Sequence, residues 1–178
     1  MAFPSVETLT TLVAPIVAEH GLDLERLRTT RAGKKSVVAI AVDGDDRPGS
    51  EVLEKITQQI SACFDEEEET GNLNFGPGYT LEVSTPGLDS PLTHPRHWRR
   101  QRGRLVTITE EGKKRTVRVG ALNDDETAVA VISKNGKKLV VESIQLANHP
   151  EAMVEIEFAT PAADELELAA ATYDDVVR

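Results

Sequence analysis

The residues best suited to binding chemistry lie close together near the middle of the chain. Five arginines, one histidine and the only tryptophan fall within nine positions: Arg96, His97, Trp98, Arg99, Arg100, Arg102 and Arg104. The planar guanidinium group binds phosphate or carboxylate oxygens in pairs, and tryptophan supplies a large contact area. This basic segment therefore predicts a surface for RNA or for a partner protein. In the alternative interpretation, Trp98 closes one end of a folded core and the arginines are solvated around it.

A second candidate for binding is the segment 82–92, which reads Glu-Val-Ser-Thr-Pro-Gly-Leu-Asp-Ser-Pro-Leu. An alternating strand, 79–84, ends at a Pro-Gly pair, and the second proline keeps the following residues from regular structure. We expect a rigid connector at 86–93, because loops held on a stiff scaffold often carry function. An ordinary domain linker is the alternative. The predicted contact residues here are Ser84, Thr85, Pro86, Gly87, Leu88, Asp89, Pro91 and Leu92.

Residues that could support catalysis or bind a metal are not grouped in a motif. The four histidines lack the spacing of a metal site, and the single Cys63 excludes an internal disulfide or a cysteine cluster for zinc. The acidic turn 43–46 lacks the bidentate glutamate of a calcium loop. No serine or cysteine lies in a nucleophile motif. The sequence therefore predicts a protein that is not an enzyme and has no metal, cofactor or small-molecule substrate.

The chain carries a net charge of −10, but the charge is unevenly distributed. Residues 1–92 hold 7 basic and 16 acidic residues, for a net charge of −9. Residues 93–149 hold 12 basic and 6 acidic residues, for +6, and residues 150–178 hold 1 and 8, for −7. This asymmetry predicts a partner with charged patches of its own and argues against a non-specific nucleic-acid binder.

Apolar patterning places the protein outside the membrane classes. The longest apolar runs, such as 37–42, are too short to cross a bilayer, and no signal-peptide pattern opens the sequence. Aromatic residues make up only 4% of the chain, which disfavours a base-stacking platform for single-stranded nucleic acid. We expect a cytoplasmic protein without a membrane partner, and a monomer.

The first 85 residues predict an α+β domain. Apolar residues recur at helical spacing from Val6 to Val17, and again from Leu53 to Phe64. Strand patterns lie at about 22–31, at 37–42 and at 79–84. The element order is therefore helix, strand, strand, helix, strand, and two helices on one face of a three-stranded sheet would bury the periodic residues.

After residue 93 the pattern changes to five short strands at 104–109, 114–122, 127–132, 138–144 and 153–158. Turn residues separate them, including the Asn-Gly pair at 135–136, which is a strong hairpin signal. Short, closely spaced strands predict a small bent barrel at 94–158. Residues 159–178 are rich in alanine and acid without an apolar stripe, and they predict a disordered tail or a marginal helix.

Together these features resemble the bacterial ribosome maturation factor RimP family. The resemblance rests on Leu-Glu-Val-Ser-Thr-Pro-Gly-Leu-Asp at 81–89, on Pro-Leu at 91–92 and on the basic segment that follows. It also includes Glu-His-Gly-Leu-Asp-Leu at 19–24, and it covers roughly residues 5–158. The resemblance implies a KH-like α/β domain followed by an SH3-like or Sm-like barrel.

The resemblance further implies a non-enzymatic assembly factor for the small (30S) ribosomal subunit. Such a factor would bind the basic ribosomal protein S-twelve, precursor ribosomal RNA, or both. The acidic regions would attract the ribosomal protein while the basic middle faces RNA phosphate. The alternative function is a free-standing Sm-like RNA-binding regulator, for which the barrel and its basic hairpins would suffice.

Overall fold

The computed structural model describes residues 2–177 and divides the chain into two units, one ending at Pro86 and the other beginning at Gly87. Met1 and Arg178, which fall within the predicted amino-terminal domain and the predicted tail, lie outside the described residues. The finer division into domain, connector, barrel and tail stays a prediction. No helix within 2–177 is long and apolar enough to span a membrane.

The amino-terminal unit packs two helices against a three-stranded sheet. Its elements are α1 (Val6–Glu19), β1 (Asp23–Thr30), β2 (Val37–Asp43), α2 (Ser50–Glu69) and β3 (Thr80–Ser84). The central strand β2 pairs antiparallel with β1 and parallel with β3, so α2 forms the crossover that a parallel pair requires. The predicted order of helices and strands is confirmed.

Apolar side chains at helical spacing hold the two helices to this sheet. In α1, Leu9, Val13 and Val17 are fully buried, and Ser5 caps the helix by accepting a hydrogen bond from the Thr8 N–H at 3.1 Å. In α2 the buried residues are Ile56, Ile60 and Phe64. All of these join one core cluster with the inward residues of β2.

The second unit contains five strands with short helices at both ends. Its elements are α3 (Pro95–Arg100), β4 (Leu105–Glu110), β5 (Lys113–Leu122), β6 (Ala128–Asn135), β7 (Lys138–Gln145), β8 (Glu151–Val154), α4 (Ala163–Ala170) and α5 (Tyr173–Val176). The strands pair antiparallel in the order β7-β6-β5-β4-β8. Within residues 2–177 the edge strands β7 and β8 do not pair with each other, so the sheet is open where the sequence predicted a closed barrel.

In the second unit, the pairing of β5 with β6 is irregular between Val119 and Leu122. Gly120 lies in this stretch, and a Cβ atom there would stand only 2.9 Å from the carbonyl oxygen of Ala130. A glycine is therefore required where the two backbones approach so closely.

Two sequence-based predictions in this unit need correction. The last strand covers Glu151–Val154 instead of 153–158, because the apolar residues that suggested its extension, Ile156 and Phe158, are 57% and 93% exposed. Of the two alternatives for the tail, disorder is wrong, since α4 and α5 occupy most of it. Helix α4 lies against β5 and β6. Its buried residues are Glu165 and Ala169, so it has no apolar stripe that a sequence pattern could reveal.

Candidate partner-binding cleft and basic segment

Three of the predicted contact residues, Ser84, Thr85 and Pro86, belong to the amino-terminal unit, and an arginine binds two of them. The guanidinium Nη2 of Arg47 donates hydrogen bonds to Thr85 Oγ1 at 2.6 Å and to the Pro86 carbonyl at 3.3 Å. Ser84 ends β3 and is exposed. Sequence reasoning missed Arg47 because it lies in the loop between β2 and α2, far from the connector in the chain.

The remaining connector residues belong to the second unit and form a tight turn. The Ser90 N–H donates to the Gly87 carbonyl at 3.2 Å, and a Cβ on Gly87 would stand 2.7 Å from the Asp89 carboxylate. Leu88 is 49% exposed, and Asp89 and Pro91 are exposed as well. Leu92 differs, because it is buried and its N–H donates to the Ala152 carbonyl at 2.9 Å. The connector therefore displays Leu88, Asp89 and Pro91 and uses Leu92 for packing.

The basic segment begins in α3, which a histidine organises. His97 Nδ1 accepts hydrogen bonds from the N–H groups of Thr93 at 3.0 Å and His94 at 3.2 Å. Trp98 is only 1% exposed and belongs to the core cluster of this unit. Its burial favours the alternative in which the tryptophan closes the core.

The five arginines of the basic segment differ in their surroundings. Arg99 pairs with the Glu126 carboxylate at 2.7 Å, where both side chains are substantially exposed, so the pair adds little stability. Arg104 is exposed and donates to Gln101 Oε1 at 3.3 Å. Arg96 and Arg100 are half-buried. Arg102 donates to carbonyl oxygens of the carboxy-terminal segment, residues 155–177, so the predicted basic surface is partly covered.

A cleft of about 730 Å³ brings several predicted residues together in the second unit. Pro91 and Leu92 of the connector and Trp98 of the basic segment line it. Sequence reasoning missed the remaining apolar lining, since these residues come from the β7–β8 connection and β8: Leu146, Ala147, Pro150, Ala152 and Met153. An apolar cleft of this size can accept one or more side chains of a partner.

Carboxylates and unusual backbone conformations mark the rim of the cleft. Glu126 and Glu151 are exposed there, beside His94 and His149. Glu126 and His149 have φ values of +54° and +48°, which non-glycine residues rarely adopt and which cluster at functional sites in proteins. An apolar interior with a carboxylate rim suits a segment that combines apolar and basic residues.

A second, more polar groove of about 1210 Å³ lies at the β4–β5 hairpin. Lys113, Lys114 and Arg115 line it together with Glu110 and Glu111. Arg115 is held by the Glu142 carboxylate at 3.1 Å, whereas the two lysines are exposed. The position of Lys113 and Lys114 in a groove makes them candidates for contact with an anion.

A buried ion cluster joins the sheet to the carboxy-terminal segment. Arg118, on β5, donates two hydrogen bonds to Glu157 at 2.9 and 2.6 Å and two to Glu165 at 3.1 and 2.8 Å. Its side chain is 2% exposed. The hydrogen bonds from Arg118 lower the pKa of Glu157, and those to Glu157 and Glu165 raise the pKa of Arg118 despite its burial. Sequence reasoning missed this cluster because its members are widely separated in the chain.

Titratable groups in the amino-terminal unit give no reactive centre. Burial, with the nearby Glu67 and Glu66, raises the pKa of the Cys63 thiol, so the thiol stays protonated at neutral pH. Burial also raises the pKa of Tyr79 to about 12. Among the described residues, no group of three histidine, cysteine, aspartate or glutamate side chains could hold a metal ion.

A basic segment, an apolar cleft with a carboxylate rim and an exposed connector turn are features of a binding protein. Comparison with known proteins identifies the family. The family model for the RimP N-terminal domain matches residues 12–89. The ribosome maturation factor RimP of Corynebacterium diphtheriae is 59% identical over 177 residues, which cover 99% of this chain and 96% of the relative.

Two further relatives carry the same name. The ribosome maturation factor RimP of Corynebacterium aurimucosum is 53% identical over 98% of this chain and 94% of its own length. The corresponding protein of Corynebacterium kroppenstedtii is 43% identical over 99% of this chain and 100% of its own. The chain belongs to the RimP family of ribosome maturation factors, which are assembly factors and not enzymes. Its role lies in ribosome maturation.

Proposed function

We propose that this protein promotes maturation of the small (30S) ribosomal subunit by binding ribosomal protein S-twelve and precursor ribosomal RNA. The observation that carries the proposal is the 59% identity, over nearly the whole chain, to a ribosome maturation factor RimP. The proposed site of action is the cytoplasm, where bacterial ribosomal subunits assemble, and the proposed active form is a monomer.

The protein partner is proposed to bind the second unit at the cleft and the connector turn. Ribosomal proteins are strongly basic, and the carboxylates of Glu126 and Glu151 at the rim would attract basic side chains. The apolar lining would accept an apolar side chain of the same segment. Leu88 and Asp89, exposed on the connector, are proposed to extend this contact.

The RNA is proposed to bind the basic segment. Arg96, Arg99, Arg100 and Arg104 carry the charge, and guanidinium groups match phosphate oxygens in geometry. The exposed Lys113 and Lys114 would extend the same contact. The observed element orders support, as part of the proposal, a KH-like amino-terminal domain and an SH3-like or Sm-like second domain.

Sedimentation of cell lysates through a sucrose gradient tests the proposed function. The protein should migrate with immature small subunits and be depleted from mature ribosomes and polysomes. An Sm-like RNA regulator, the alternative, would instead form rings and bind short RNA in the absence of ribosomal particles. Migration only with mature ribosomes, or only as rings, would overturn the proposal.

Calorimetric titration with purified S-twelve tests the protein contact. Glu126→Gln with Glu151→Gln should weaken binding and reduce its salt dependence. The matched control is Asp124→Asn with Asp125→Asn, which changes the charge equally at exposed positions beside Glu126 but outside the cleft lining. Equal weakening by both pairs would leave only a general charge effect and contradict a contact at the cleft.

The salt dependence of binding to a precursor RNA fragment tests the RNA contact. Arg99→Ala with Arg100→Ala should flatten the salt slope by roughly one to two contacts. Arg26→Ala with Arg28→Ala, on β1, is the control, since it removes the same charge from the other unit. A slope that the first pair leaves unchanged would exclude those arginines from the RNA contact.

A further inference from the structure

In the carboxy-terminal segment, residues 155–177, helices α4 and α5 lie against the face of strands β5 and β6 that carries Arg118. We propose that this face binds an RNA phosphate backbone, and that the segment occupies it in the free protein and is displaced when RNA binds. The inference rests on the proposed function in one respect, because it takes RNA to be a partner. It adds a covered part of the RNA surface and a mechanism that exposes it.

Three cations of the second unit lie within reach of oxygen atoms of the segment. Arg118 donates to the carboxylates of Glu157 and Glu165 at 2.6 and 2.8 Å, and Lys134 Nζ lies 3.5 Å from Glu165. Arg102 donates to the carbonyl oxygens of Ala169 at 2.7 Å and Ala171 at 2.8 Å, at the end of α4. Anionic and carbonyl oxygens at these positions are the same kind of acceptor that phosphate groups present.

The charge of the segment matches that of a nucleic-acid backbone. Residues 155–177 contain 7 acidic residues and no basic one. Of the three cations that the segment covers, Arg102 belongs to the basic segment, and Arg118 donates to the Gly103 carbonyl within it at 2.9 Å. Undocking of the segment would therefore enlarge the proposed RNA surface by three positive charges and remove a competing polyanion.

Few apolar side chains of the segment are fully buried, although Leu168, Tyr173 and Val176 are half-buried. Ala169 is the single apolar residue of α4 that is fully buried, at 2% exposure. Leu166 is exposed, and so are Ile156 and Phe158 in the chain that leads to the helix. A helix of eight residues is not stable by itself in water, so α4 depends on its polar contacts with the sheet. A competing polyanion removes those contacts and the helix together.

Hydrogen–deuterium exchange of the full wild-type chain provides the first test, with a short RNA hairpin as the probe. Amide protection in 163–176 should fall when the RNA binds, while protection in β5 and β6 stays. RNA binding without any loss of protection in α4 would overturn the inference and leave the proposed function intact. Failure to bind RNA under any condition would instead remove the RNA part of the proposed function, and the inference with it.

A pair of charge-matched variants provides the second test. Glu157→Gln with Glu165→Gln removes the ionic contacts of the segment and should raise affinity for the hairpin by about tenfold, the gain expected if the docked form leaves roughly a tenth of the molecules competent. Glu167→Gln with Asp174→Asn changes the charge of the same segment equally at exposed positions and should raise affinity much less.

In Glu157→Gln with Glu165→Gln, the affinity for the RNA hairpin should also fall more steeply with rising salt, by roughly one to three phosphate contacts. Equal gains by the two pairs would reduce the segment to a general source of repulsion and overturn the inference. Polyglutamate serves as a second probe on the wild-type chain. Loss of α4 protection with polyglutamate but not with RNA would also overturn it, because an acidic protein would then be the competitor.

Discussion

Helices pack against a sheet in both units, but different forces hold them. In the amino-terminal unit, α1 and α2 bury six fully apolar side chains, Leu9, Val13, Val17, Ile56, Ile60 and Phe64. In the second unit, α4 buries Glu165 and Ala169, and an arginine of the sheet lies beneath it. The same arrangement of elements can thus be stabilised mainly by burial of apolar area or mainly by pairing of charges.

The largest expected loss of stability is in the apolar interface, where α1 and α2 pack against the sheet of the amino-terminal unit. Phe64→Ala should reduce the free energy of unfolding of the amino-terminal unit by about 3–5 kcal/mol, because it removes a buried ring and leaves a cavity. The ring lies 5.3 Å from that of Phe75, centroid to centroid. Amide hydrogen exchange measures the stability of each unit separately. The loss of unfolding free energy should not depend on salt concentration. Val6→Ala, at a partly exposed position of α1, is the control and should change little; similar losses for both would contradict the comparison.

A somewhat smaller loss of stability is expected in the charged interface, where α4 lies against β5 and β6. Arg118→Ala should destabilise the second unit by about 3 kcal/mol, since it removes the buried partner of Glu165 and leaves only the exposed Lys134 beside that carboxylate, at 3.5 Å. Amides of α4 should lose protection first in hydrogen exchange. Arg104→Ala removes an exposed arginine of the same unit and serves as the control. Full protection of α4 in Arg118→Ala would show that apolar contacts hold the helix after all.

The two interfaces should also respond to opposite extremes of pH. Because the hydrogen bond from Arg118 lowers the pKa of Glu157, the folded state binds fewer protons at that carboxyl than the unfolded state. Its contribution is present above the ordinary carboxyl pKa and is lost as the pH falls through the lowered value. Methyl NMR should therefore show release of α4 in acid, and Glu157→Gln should remove this acid dependence. A segment that stays docked in acid would contradict the role of Glu157.

In the amino-terminal unit the corresponding effect is alkaline. Burial, with Asp65 and Glu68, raises the pKa of Tyr79 to about 12. The unfolded chain loses this proton near pH 10, so the contribution is present below that pH and is lost as the pH rises toward the folded value. Tyrosinate absorbance measures the loss of the proton, and circular dichroism measures the loss of folded structure. Tyr79→Phe should abolish the alkaline loss, and an unchanged profile in that variant would assign the loss to another group.

The smallest expected effect concerns the end of the segment, where the Tyr173 hydroxyl lies 2.6 Å from Ser143 Oγ. Tyr173→Phe should reduce the stability of docking by about 0.5–1.5 kcal/mol, the range for one hydrogen bond. Ser143→Ala should have a similar effect, and the double variant should lose no more than either single change. Hydrogen exchange of α5 measures all three, and additive losses would show that the two groups act independently.

The apolar interface could be predicted from sequence, and the charged one could not. Leu9, Val13 and Val17 recur at the helical period, so α1 and its buried face follow from local spacing. In α4 the buried face consists of Glu165 and Ala169, which have no such signature. The partner that makes Glu165 a buried residue is Arg118, 47 positions away, and nothing local connects the two.

The candidate site was predictable to a similar degree. The turn residues Gly87 and Pro91 could be assigned to a connector from their backbone preferences. The open edges of the sheet depend on pairing between distant strands, and alternation within each strand does not specify closure. Two features of the site were missed for the same reason: Arg47 at the connector, and the contribution of the β7–β8 connection to the cleft.

The spacing of Arg118 from its partners has a consequence for the growing polypeptide. Glu157 and Glu165 are translated 39 and 47 residues after the arginine. At elongation rates of about 5–20 residues per second, the arginine exists for roughly 2–9 seconds on a nascent chain that does not yet contain both of its carboxylates. During that interval strands β5 and β6 can pair, but their outer surface carries an uncompensated positive charge. A chain that ends directly after β8, at Val154, lacks both carboxylates and should therefore bind polyanions more tightly than the full chain does.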